Sequence, residues 1–301
     1  MPRVGIGLPV YNGENFIKAA IDSVLAQSFK DFELIISDNA SRDRTQEICQ
    51  SYAQRDKRVR YYCNSQNIGA APNYNRVFEL STAEYFKWIA HDDVIAPTYL
   101  ERCVDVMDRE PNVAVCFPAI TYIDAQGKVL QQQQKGNLSI RGASAADRSR
   151  EMVNHQLEST DIFWAIFGMM RSSALRQTPL HGSYVASDQV LLIQMLLLGE
   201  FYQVPEPLYF RRDHQLASMT KHRTPQERQK WFDTQKKKRI ILPNWNLLFQ
   251  YLNSVKRAPL TSSTKLRCYY EVFRRFTNEW RNLAGEFKLV AAQIAGRPES
   301  A

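Results

Sequence analysis

Two adjacent carboxylates, Asp92 and Asp93, follow an aromatic and apolar run, residues 85–90, that has the composition of a buried strand. In an open α/β sheet, ligands bind at the carboxyl ends of the strands. Two neighbouring acids repel each other unless a positive charge lies close by, and a divalent metal carrying a phosphorylated ligand would supply that charge. The alternative is that one Asp caps the helix predicted to follow. A His-Asp-Asp sequence at a strand end favours the metal site.

Asp38 also ends a predicted strand, residues 32–38, and precedes a turn. As a cap it would serve the next helix, although Asp43 is available for the same role. As a ligand contact, its carboxylate would accept a hydrogen bond from a nucleobase N–H. Tyr11 follows the first predicted strand, residues 4–10, and its ring could stack on that base. The two residues together suggest a nucleotide site.

Asp188 precedes a predicted helix over residues 189–198. It is either the cap of that helix or a general base that takes a proton from an acceptor hydroxyl. His214 follows a predicted strand and has Arg211 and Arg212 beside it. A single histidine is more often structural than a ligand, but a histidine with two arginines near a phosphate site could bind a metal and neutralise a leaving group. Both choices stay open at this point.

Strands and helices alternate from the first residues, which predicts an α/β fold with a mainly parallel sheet, right-handed crossovers and helices on both faces. In such a sheet the loops after the first, second and fourth strands share one edge, so Tyr11, Asp38 and Asp92 are expected to lie close together. The predicted strands are 4–10, 32–38, 59–63, 85–90 and 113–117, and the predicted helices are 14–26, 44–53, 70–80 and 97–109.

The second half of the chain is predicted to contain shorter elements. Its apolar run, residues 162–170, is expected to help shape an acceptor pocket. The other predictions are a hairpin of strands 120–124 and 128–130, a helix over 151–157, and short strands at 201–204 and 208–210.

Composition and spacing argue against several classes of protein. The 301 residues carry a net charge of +8, but no module that reads or stacks on bases is present, so no nucleic-acid partner is expected. The five cysteines have no metal-ligand spacing and fit reduced thiols in a cytosolic protein. The longest apolar run, residues 190–198, is too short to span a membrane, and the first residues do not have a signal-peptide pattern. We therefore expect a cytoplasmic location.

From about residue 224 the sequence changes to helical segments rich in Lys, Arg and aromatic residues, such as residues 236–239 and 269–276. We therefore expect a main domain over residues 1–222 and a basic helical extension over residues 223–301. The extension is either a solvated helical face or a peripheral docking site on an anionic membrane at the inner face of the cell.

The first third of the chain resembles the family 2 glycosyltransferases, which have the GT-A fold. The resemblance begins with the run Leu8-Pro9-Val10-Tyr11-Asn12 in the first strand. Residues 28–41 resemble the nucleotide-binding segment of that family, with Asp38 in the position that reads the base. Asn67-Ile68-Gly69 and Asn75 match the block that follows.

The later motifs are similar to those of the same family over residues 1–220. His91-Asp92-Asp93 stands where the family has its metal-binding D-x-D motif, with His91 replacing the first Asp and Asp93 as the usual metal ligand. Ser187-Asp188 resembles the pair whose second residue is the catalytic base. The segment from Arg211 to His214 resembles a late Arg-x-x-His loop.

The resemblance implies an inverting transfer of a sugar from a UDP- or dTDP-sugar to a hydroxyl of a glycan or lipid-linked acceptor, in bacterial surface polysaccharide synthesis, with Mn²⁺ or Mg²⁺ as cofactor. It divides the main domain into a nucleotide-binding part, residues 1–118, and an acceptor part, residues 119–222. The implied site residues are Asp188 as the catalytic base; Pro9, Tyr11, Asn12, Glu14, Asp38, Asn67, Asn75 and Asp92 on the nucleotide; Arg212 on the phosphates; and Asp93 and His214 on the metal.

Two other functions remain open. A sugar nucleotidyltransferase has a similar sheet and metal, but it would need cations in the loop after the first strand, and residues 12–15 contain none. A catalytically inactive relative would keep the fold as a nucleotide-binding module or a scaffold. The identity of the sugar, the acceptor and the oligomeric state are likewise open.

Overall fold

The computed structural model describes residues 1–132, 137–215, 227, 231–232 and 242–294. The strands in these residues are β1 (Val4–Val10), β2 (Phe32–Asp38), β3 (Val59–Cys63), β4 (Tyr85–Trp88), β5 (Val94–Ile95), β6 (Val113–Ile123), β7 (Val129–Gln132), β8 (Met169–Arg171) and β9 (Glu200–Arg212). They form one sheet in the order β3-β2-β1-β4-β8-β6-β9-β5, with β7 paired to β6.

The sheet has a parallel half and a mixed half. Strands β3, β2, β1 and β4 are all parallel, as the strand–helix alternation predicts. The short β8 then lies antiparallel to both β4 and β6, while β9 is parallel to β6 and antiparallel to β5. The expectation of a mainly parallel sheet is confirmed, because the long pairings β1–β2, β1–β4, β2–β3 and β6–β9 are parallel. The antiparallel pairings, which include those of β8, are short.

Helices cover both faces of the sheet. They are α1 (Ile17–Leu25), α2 (Thr45–Arg55), α3 (Ala70–Glu79), α4 (Tyr99–Arg109), α5 (Ala145–Glu158), α6 (Ser172–Leu175), α7 (Ser187–Leu198), α8 (Pro243–Arg257), α9 (Ser262–Asn278) and α10 (Trp280–Ile294), with a 3₁₀ helix (Asp161–Phe167) between α5 and β8.

Close packing against β1 sets the position of the crossover helix α3. All seven residues of β1 are buried. A Cβ atom on Gly7 would lie 2.5 Å from Cγ2 of Val77 in α3 and 2.6 Å from the ring of Phe86 in β4. Because only hydrogen fits in that space, Gly7 lets α3 approach the strand directly and fixes the loops at its ends.

The C-terminal helices are part of the main hydrophobic core. Tyr251 of α8 and Phe276 of α9 belong to the same buried cluster as Leu191 of α7 and Met152 of α5. The predicted boundary near residue 222 lies outside the described residues, as does the basic run 236–239. Among the residues described, no helix is both long and apolar enough to cross a bilayer.

The apolar run 162–170 forms the 3₁₀ helix and the start of β8, and its residues pack between α7 and β6. Its part in an acceptor pocket stays a prediction. Two sequence predictions of local structure were wrong in detail. The separate strands predicted at 113–117 and 120–124 form the single strand β6, and those at 201–204 and 208–210 form β9. In both cases long pairing between β6 and β9, with register shifts near Pro118 and Ala119, carries the chain through the expected break.

Candidate active site

A cavity of about 730 Å³ lies at the carboxyl ends of β1, β2 and β4, where the strand order predicts a ligand site. Its volume lies within the range of sites for small-molecule substrates and cofactors. Of the site residues predicted from sequence, those that line the cavity are Pro9, Tyr11, Asn12, Glu14, Asn67, Asp92 and His214. Sequence reasoning missed several other lining residues: Asn39, Arg42, Asn73, Tyr74 and Trp231.

The loop after β1 is tied to the loop after β2. Asn12 has a positive φ of 52°, a conformation that asparagine tolerates better than most residues. Its side-chain oxygen accepts a hydrogen bond from the backbone N–H of Arg42 at 2.9 Å, and its own N–H donates to Ser41 Oγ at 2.9 Å. Glu14 accepts from the backbone N–H of Arg44 at 3.0 Å. Asn12 and Glu14 therefore shape the cavity wall through backbone contacts.

Asp38 is fully buried behind this wall. One of its carboxylate oxygens accepts from the backbone N–H of Ser41 at 2.9 Å, and the other accepts from the hydroxyl of Tyr61 at 2.9 Å. Burial, followed by the contact with Asp38, raises the pKa of Tyr61, so this hydroxyl stays a donor. The neighbouring residue, Asn39, faces the cavity. The role of Asp38 in reading a base stays a prediction.

Asparagine side chains form a network on the opposite side of the cavity. Asn39 donates to the side-chain oxygen of Asn67 at 3.1 Å and accepts from Asn64 at 3.0 Å. Asn75 is placed differently from the prediction, because it is not among the cavity-lining residues. Its amide instead donates to the backbone carbonyl of His181 and accepts from its N–H, both at 2.9 Å. Asn75 therefore fixes the segment that leads to α7.

The two adjacent carboxylates, Asp92 and Asp93, point in different directions. Asp92 lines the cavity, and its Oδ2 lies 2.9 Å from Nε2 of His214. Asp93 is only 4% exposed. Its Oδ2 accepts from the Tyr209 hydroxyl at 2.6 Å and its Oδ1 from the backbone N–H of Arg212 at 2.8 Å. The residue predicted as the main metal ligand thus faces β9, and its neighbour faces the cavity.

Electrostatics separates the same two groups. Burial, together with the neighbouring Asp92 charge, raises the pKa of Asp93. Burial opposes ionisation of Asp92 as well, but His91 and His214 outweigh it and lower the pKa of Asp92. Asp92 is therefore the carboxylate that is both ionised and reachable from the cavity.

Arg212 also departs from its predicted role. It is 6% exposed and does not line the cavity. Its Nε donates to the carbonyl of Asp92 at 2.9 Å, and its Nη1 donates to the carbonyls of Asp124 and Ala125 at 2.9 and 3.0 Å. These bonds join the loop after β4 to the β6–β7 hairpin. Among the described residues that line the cavity, the guanidinium belongs to Arg42.

Asp188 lies in the first turn of α7, after Ala186 with a φ of 63°. Burial raises the pKa of Asp188, while backbone N–H groups of Asp188 and Gln189 act in the opposite direction. The pKa of Tyr74 is raised first by burial and then by the charges of Asp92, Asp93 and Asp188. Tyr74 lines the cavity, whereas Asp188 is not among the lining residues. The role of Asp188 as the base stays a prediction.

The Asp92–His214 pair has the donor chemistry of a divalent-metal site. It offers a carboxylate oxygen and an imidazole nitrogen that are already 2.9 Å apart. The other ring nitrogen of His214, Nδ1, is buried and has no hydrogen-bond partner in the described structure. The described residues contain no group of three or more His, Cys, Asp or Glu that could hold a metal alone. This suits Mg²⁺ or Mn²⁺, which commonly take few protein ligands and complete their coordination with substrate phosphates and water.

Comparison with known proteins assigns the class. A family model described as glycosyl transferase family 2 matches residues 6–178, which is more than half of the sequence, so the chain belongs to that family. An uncharacterized glycosyltransferase of Rickettsia typhi is 38% identical over 111 residues, covering 37% of this chain and 34% of the relative. Glycosyltransferase GlyA of Streptococcus pneumoniae is 26% identical over 114 residues, covering 38% of this chain and 16% of GlyA. The chain thus spans about a third of the length of the Rickettsia relative and about a sixth of the length of GlyA.

Solved structures confirm the GT-A fold. TarS 1-349 of S. aureus superposes with a TM-score of 0.66 at 16% identity, covering 95% of this chain and 80% of that one. The same protein in complex with UDP gives a TM-score of 0.64 at 15% identity, covering 91% and 71%. The mannosyltransferase PcManGT from Pyrobaculum calidifontis, in complex with GDP-Man and Mn²⁺, gives 0.59 at 14% identity, covering 99% and 76%. At these identities the likeness concerns the fold.

Proposed function

We propose that this protein transfers a sugar from a nucleoside diphosphate sugar to an acceptor hydroxyl, with inversion at the anomeric carbon. The observation that carries the proposal is the cavity at the strand ends, with the Asp92–His214 pair on its wall. The charge of Asp188 acts on Tyr74, another lining residue, and we place the acceptor hydroxyl on that side.

The donor would occupy the part of the cavity formed by the loops after β1 and β2. Tyr11 is 40% exposed at the cavity and offers its ring for stacking on the base. Asp38 would accept a hydrogen bond from the base N–H once its present bond from the Ser41 N–H rearranges. The surrounding wall of the cavity is formed by Pro9, Asn12, Glu14 and Asn67. TarS has been solved with UDP and with UDP-GlcNAc, which supports a uridine or thymidine diphosphate donor.

The diphosphate would lie beside the Asp92–His214 pair. These two side chains would hold Mn²⁺ or Mg²⁺, whose charge would stabilise the leaving diphosphate. The Mn²⁺ complex of PcManGT supports this assignment. We assign Asp93 a positioning role in place of the predicted ligand role, because both its oxygens are bonded to β9. Arg42 replaces Arg212 as the proposed cation near the phosphates, since Arg212 is bonded to three backbone carbonyls.

Asp188 would act as the base. As the acceptor oxygen attacks C1 in line, its proton passes to the Asp188 carboxylate and the bond from C1 to the diphosphate oxygen breaks. The raised pKa of Asp188 makes its carboxylate a stronger base than an ordinary aspartate.

The acceptor is proposed to be a glycan or lipid-linked molecule at the cytoplasmic face of an anionic membrane, in surface polysaccharide synthesis. Leu266, Tyr270 and Phe273 form an exposed stripe along α9, on the face opposite the buried Cys268 and Arg275. Residues 223–301 contain 16 Lys and Arg but six Asp and Glu, so they carry the positive charge of the chain. An apolar stripe on a basic region supports peripheral docking to anionic lipid.

Vesicle sedimentation tests the membrane contact. The protein should bind vesicles of mixed phosphatidylglycerol and phosphatidylcholine and not pure phosphatidylcholine. Replacing Leu266, Tyr270 and Phe273 with serine should abolish binding. The matched control replaces Val129 and Leu130 with serine, because these side chains are 51% and 56% exposed on β7. Equal loss in both variants, or no binding by the native protein, would show that α9 is simply a solvated face.

A nucleotide-sugar panel tests the transfer itself. The donor is first identified as the compound that raises the melting temperature in the presence of Mn²⁺, and turnover is then measured with that donor and a panel of alkyl glycoside acceptors. Release of the free nucleoside diphosphate supports the proposal, and release of pyrophosphate would indicate a nucleotidyltransferase. Absence of any nucleotide binding would indicate an inactive relative. Transfer that survives unchanged in Asp188→Asn would refute the assignment of the base.

A further inference from the structure

A second cavity, of about 310 Å³, lies between the N-terminal end of α7 and the helices α8 and α9. Gln189 of α7, Asn244 of α8, and Arg275 and Glu279 of the α9 end line it. It is separate from the nucleotide cavity, since the two have no lining residue in common. Except for Gln189, these polar residues lie in the C-terminal helices, which the family model does not cover.

Arg275 is a buried cation with little compensating charge. It is 5% exposed. Its Nη1 donates to the side-chain oxygen of Gln156 and to the Tyr251 hydroxyl, and its Nη2 donates to Gln189 at 3.4 Å. All three partners are neutral, and Nε of Arg275 has no partner in the described structure. Glu279 is the carboxylate with which it forms an ion pair, and that distance is 4.0 Å.

The adjacent arginine shows what a satisfied side chain looks like on the same helix. Arg274 Nε lies 2.7 Å from the carboxylate of Glu271, with further bonds to Asn154 and to the carbonyl of Arg150. A buried guanidinium without such a partner is costly, and its planar donors match a carboxylate or phosphate. Arg275 therefore lacks the close anion that its position calls for.

The second cavity adjoins the proposed base. Gln189 follows Asp188 directly in α7. The pKa of Tyr251 is raised mainly by burial, and the charges of Arg275 and Asp188 act on it in opposite directions. Because Arg275 Nη2 also donates to Gln189, a molecule held at Arg275 would lie beside the residue that follows Asp188.

We infer that this cavity binds an anionic group of the acceptor, a carboxylate or a phosphate, through Arg275. The inference rests on the proposed transferase function and adds the chemistry of the acceptor. The anion would displace Glu279 as the partner of the guanidinium, and a hydroxyl of the same acceptor would then lie towards Asp188. The two sources of such an anion are an acidic sugar and a phosphorylated carrier.

The inference can be tested without a known acceptor by measuring the binding of small probes to the full chain with ligand-detected NMR titration. Methyl β-glucuronide and methyl β-glucoside differ in the carboxylate, and glycerol phosphate supplies the phosphate. We expect at least one anionic probe to bind about tenfold more tightly than the neutral glucoside. Tighter glucuronide binding would indicate an acidic sugar, and tighter glycerol phosphate binding a phosphorylated carrier.

Three variants assign the effect to Arg275. Arg275→Gln should abolish the preference for the anion, whereas Arg274→Gln, with the same change of charge on the same helix, should keep it. Glu279→Gln should tighten anion binding about threefold, because it removes the competing carboxylate. This last variant stays informative if Arg275→Gln fails to fold.

Equal affinities for charged and neutral probes, or identical behaviour of native protein and Glu279→Gln, would overturn the inference. Nucleotide binding with Mn²⁺ is measured on the same samples. If it is absent while the anion preference is present, the transferase proposal fails and the anion site stands.

Discussion

Replacing Asp92 and Asp93 separately by alanine should produce two different defects. Asp93 lies behind the cavity, so Asp93→Ala should destabilise the fold. Asp92 lies at the cavity, so Asp92→Ala should leave the fold nearly intact and remove metal-dependent nucleotide binding. The sequence resemblance favours the opposite assignment for the metal, which makes the comparison decisive.

The size of the stability effect follows from the contacts of Asp93. Its removal leaves two buried donors, the Tyr209 hydroxyl and the Arg212 N–H, without an acceptor. Each unsatisfied donor costs about 1–3 kcal/mol. Removing a carboxylate that is buried beside Asp92 returns part of this cost, so we expect a net loss of about 2–4 kcal/mol. For a chain of 301 residues, that corresponds to a fall in Tm of about 3–6 °C.

Asp92→Ala removes one hydrogen bond, the one that Asp92 Oδ2 accepts from His214 Nε2. We expect a stability cost of about 1 kcal/mol. Loss of a proposed ligand should weaken Mn²⁺-dependent nucleotide binding by more than about 100-fold, since changes even to groups behind a ligand cost 10–100-fold.

Thermal unfolding and calorimetric titration of nucleotide with and without Mn²⁺ measure the two effects. Asp93→Asn is the control, because its amide oxygen can still accept from the Arg212 N–H while its NH₂ faces the rotatable Tyr209 hydroxyl. A stable Asp93→Ala that has lost Mn²⁺ dependence, together with an unstable Asp92→Ala that has kept it, would refute the reasoning.

Three further outcomes are expected. Because the pKa of Asp188 is raised, kcat should fall with decreasing pH at a higher pH than for an ordinary aspartate, and Asp188→Asn should lower it about 100-fold or more. Burial lowers the pKa of His181 to about 4. As the pH falls from about 6.5 to 4, the unfolded chain therefore binds a proton that the folded protein does not, and the free energy of unfolding should decrease. His181→Asn should flatten that pH dependence, measured by urea unfolding. Chelation with EDTA should abolish turnover, and Mn²⁺ added back should restore it in the native protein and not in Asp92→Ala.

The sequence was sufficient for the parallel half of the sheet and for the location of the cavity. Strand β1 is a continuous apolar run, β2 has an apolar centre and β4 is mainly aromatic, because all three are buried on both faces. Parallel strands bring their carboxyl ends to one edge, which is why Tyr11 and Asp92 line one cavity although they are far apart in the chain. These inferences need local pattern and topology alone.

The orientation of adjacent side chains could not be predicted. The strand that was expected to reach residue 90 ends at Trp88, and the chain then turns through His91 and Asp92. In a strand, the alternation of side chains would have assigned the two carboxylates to opposite faces of the sheet. In a turn, sequence spacing does not predict the direction of a side chain. The partners that orient Asp93 come from β9, 116 and 119 residues further along. Asn75 is similar, since its partner His181 is 106 residues away.

Arg212 explains how the loop after β4 is held in place. Arg212 Nε donates to the backbone carbonyl of Asp92 in that loop. The backbone N–H of Arg212 in turn donates to the carboxylate of Asp93. The same guanidinium bonds Asp124 and Ala125 of the β6–β7 hairpin. Because these bonds are reciprocal and buried, Asp92 cannot shift without moving β9 and the hairpin as well. The proposed metal and diphosphate site needs such fixed geometry, so a buried arginine bonded to backbone would serve the proposed transfer without touching the donor.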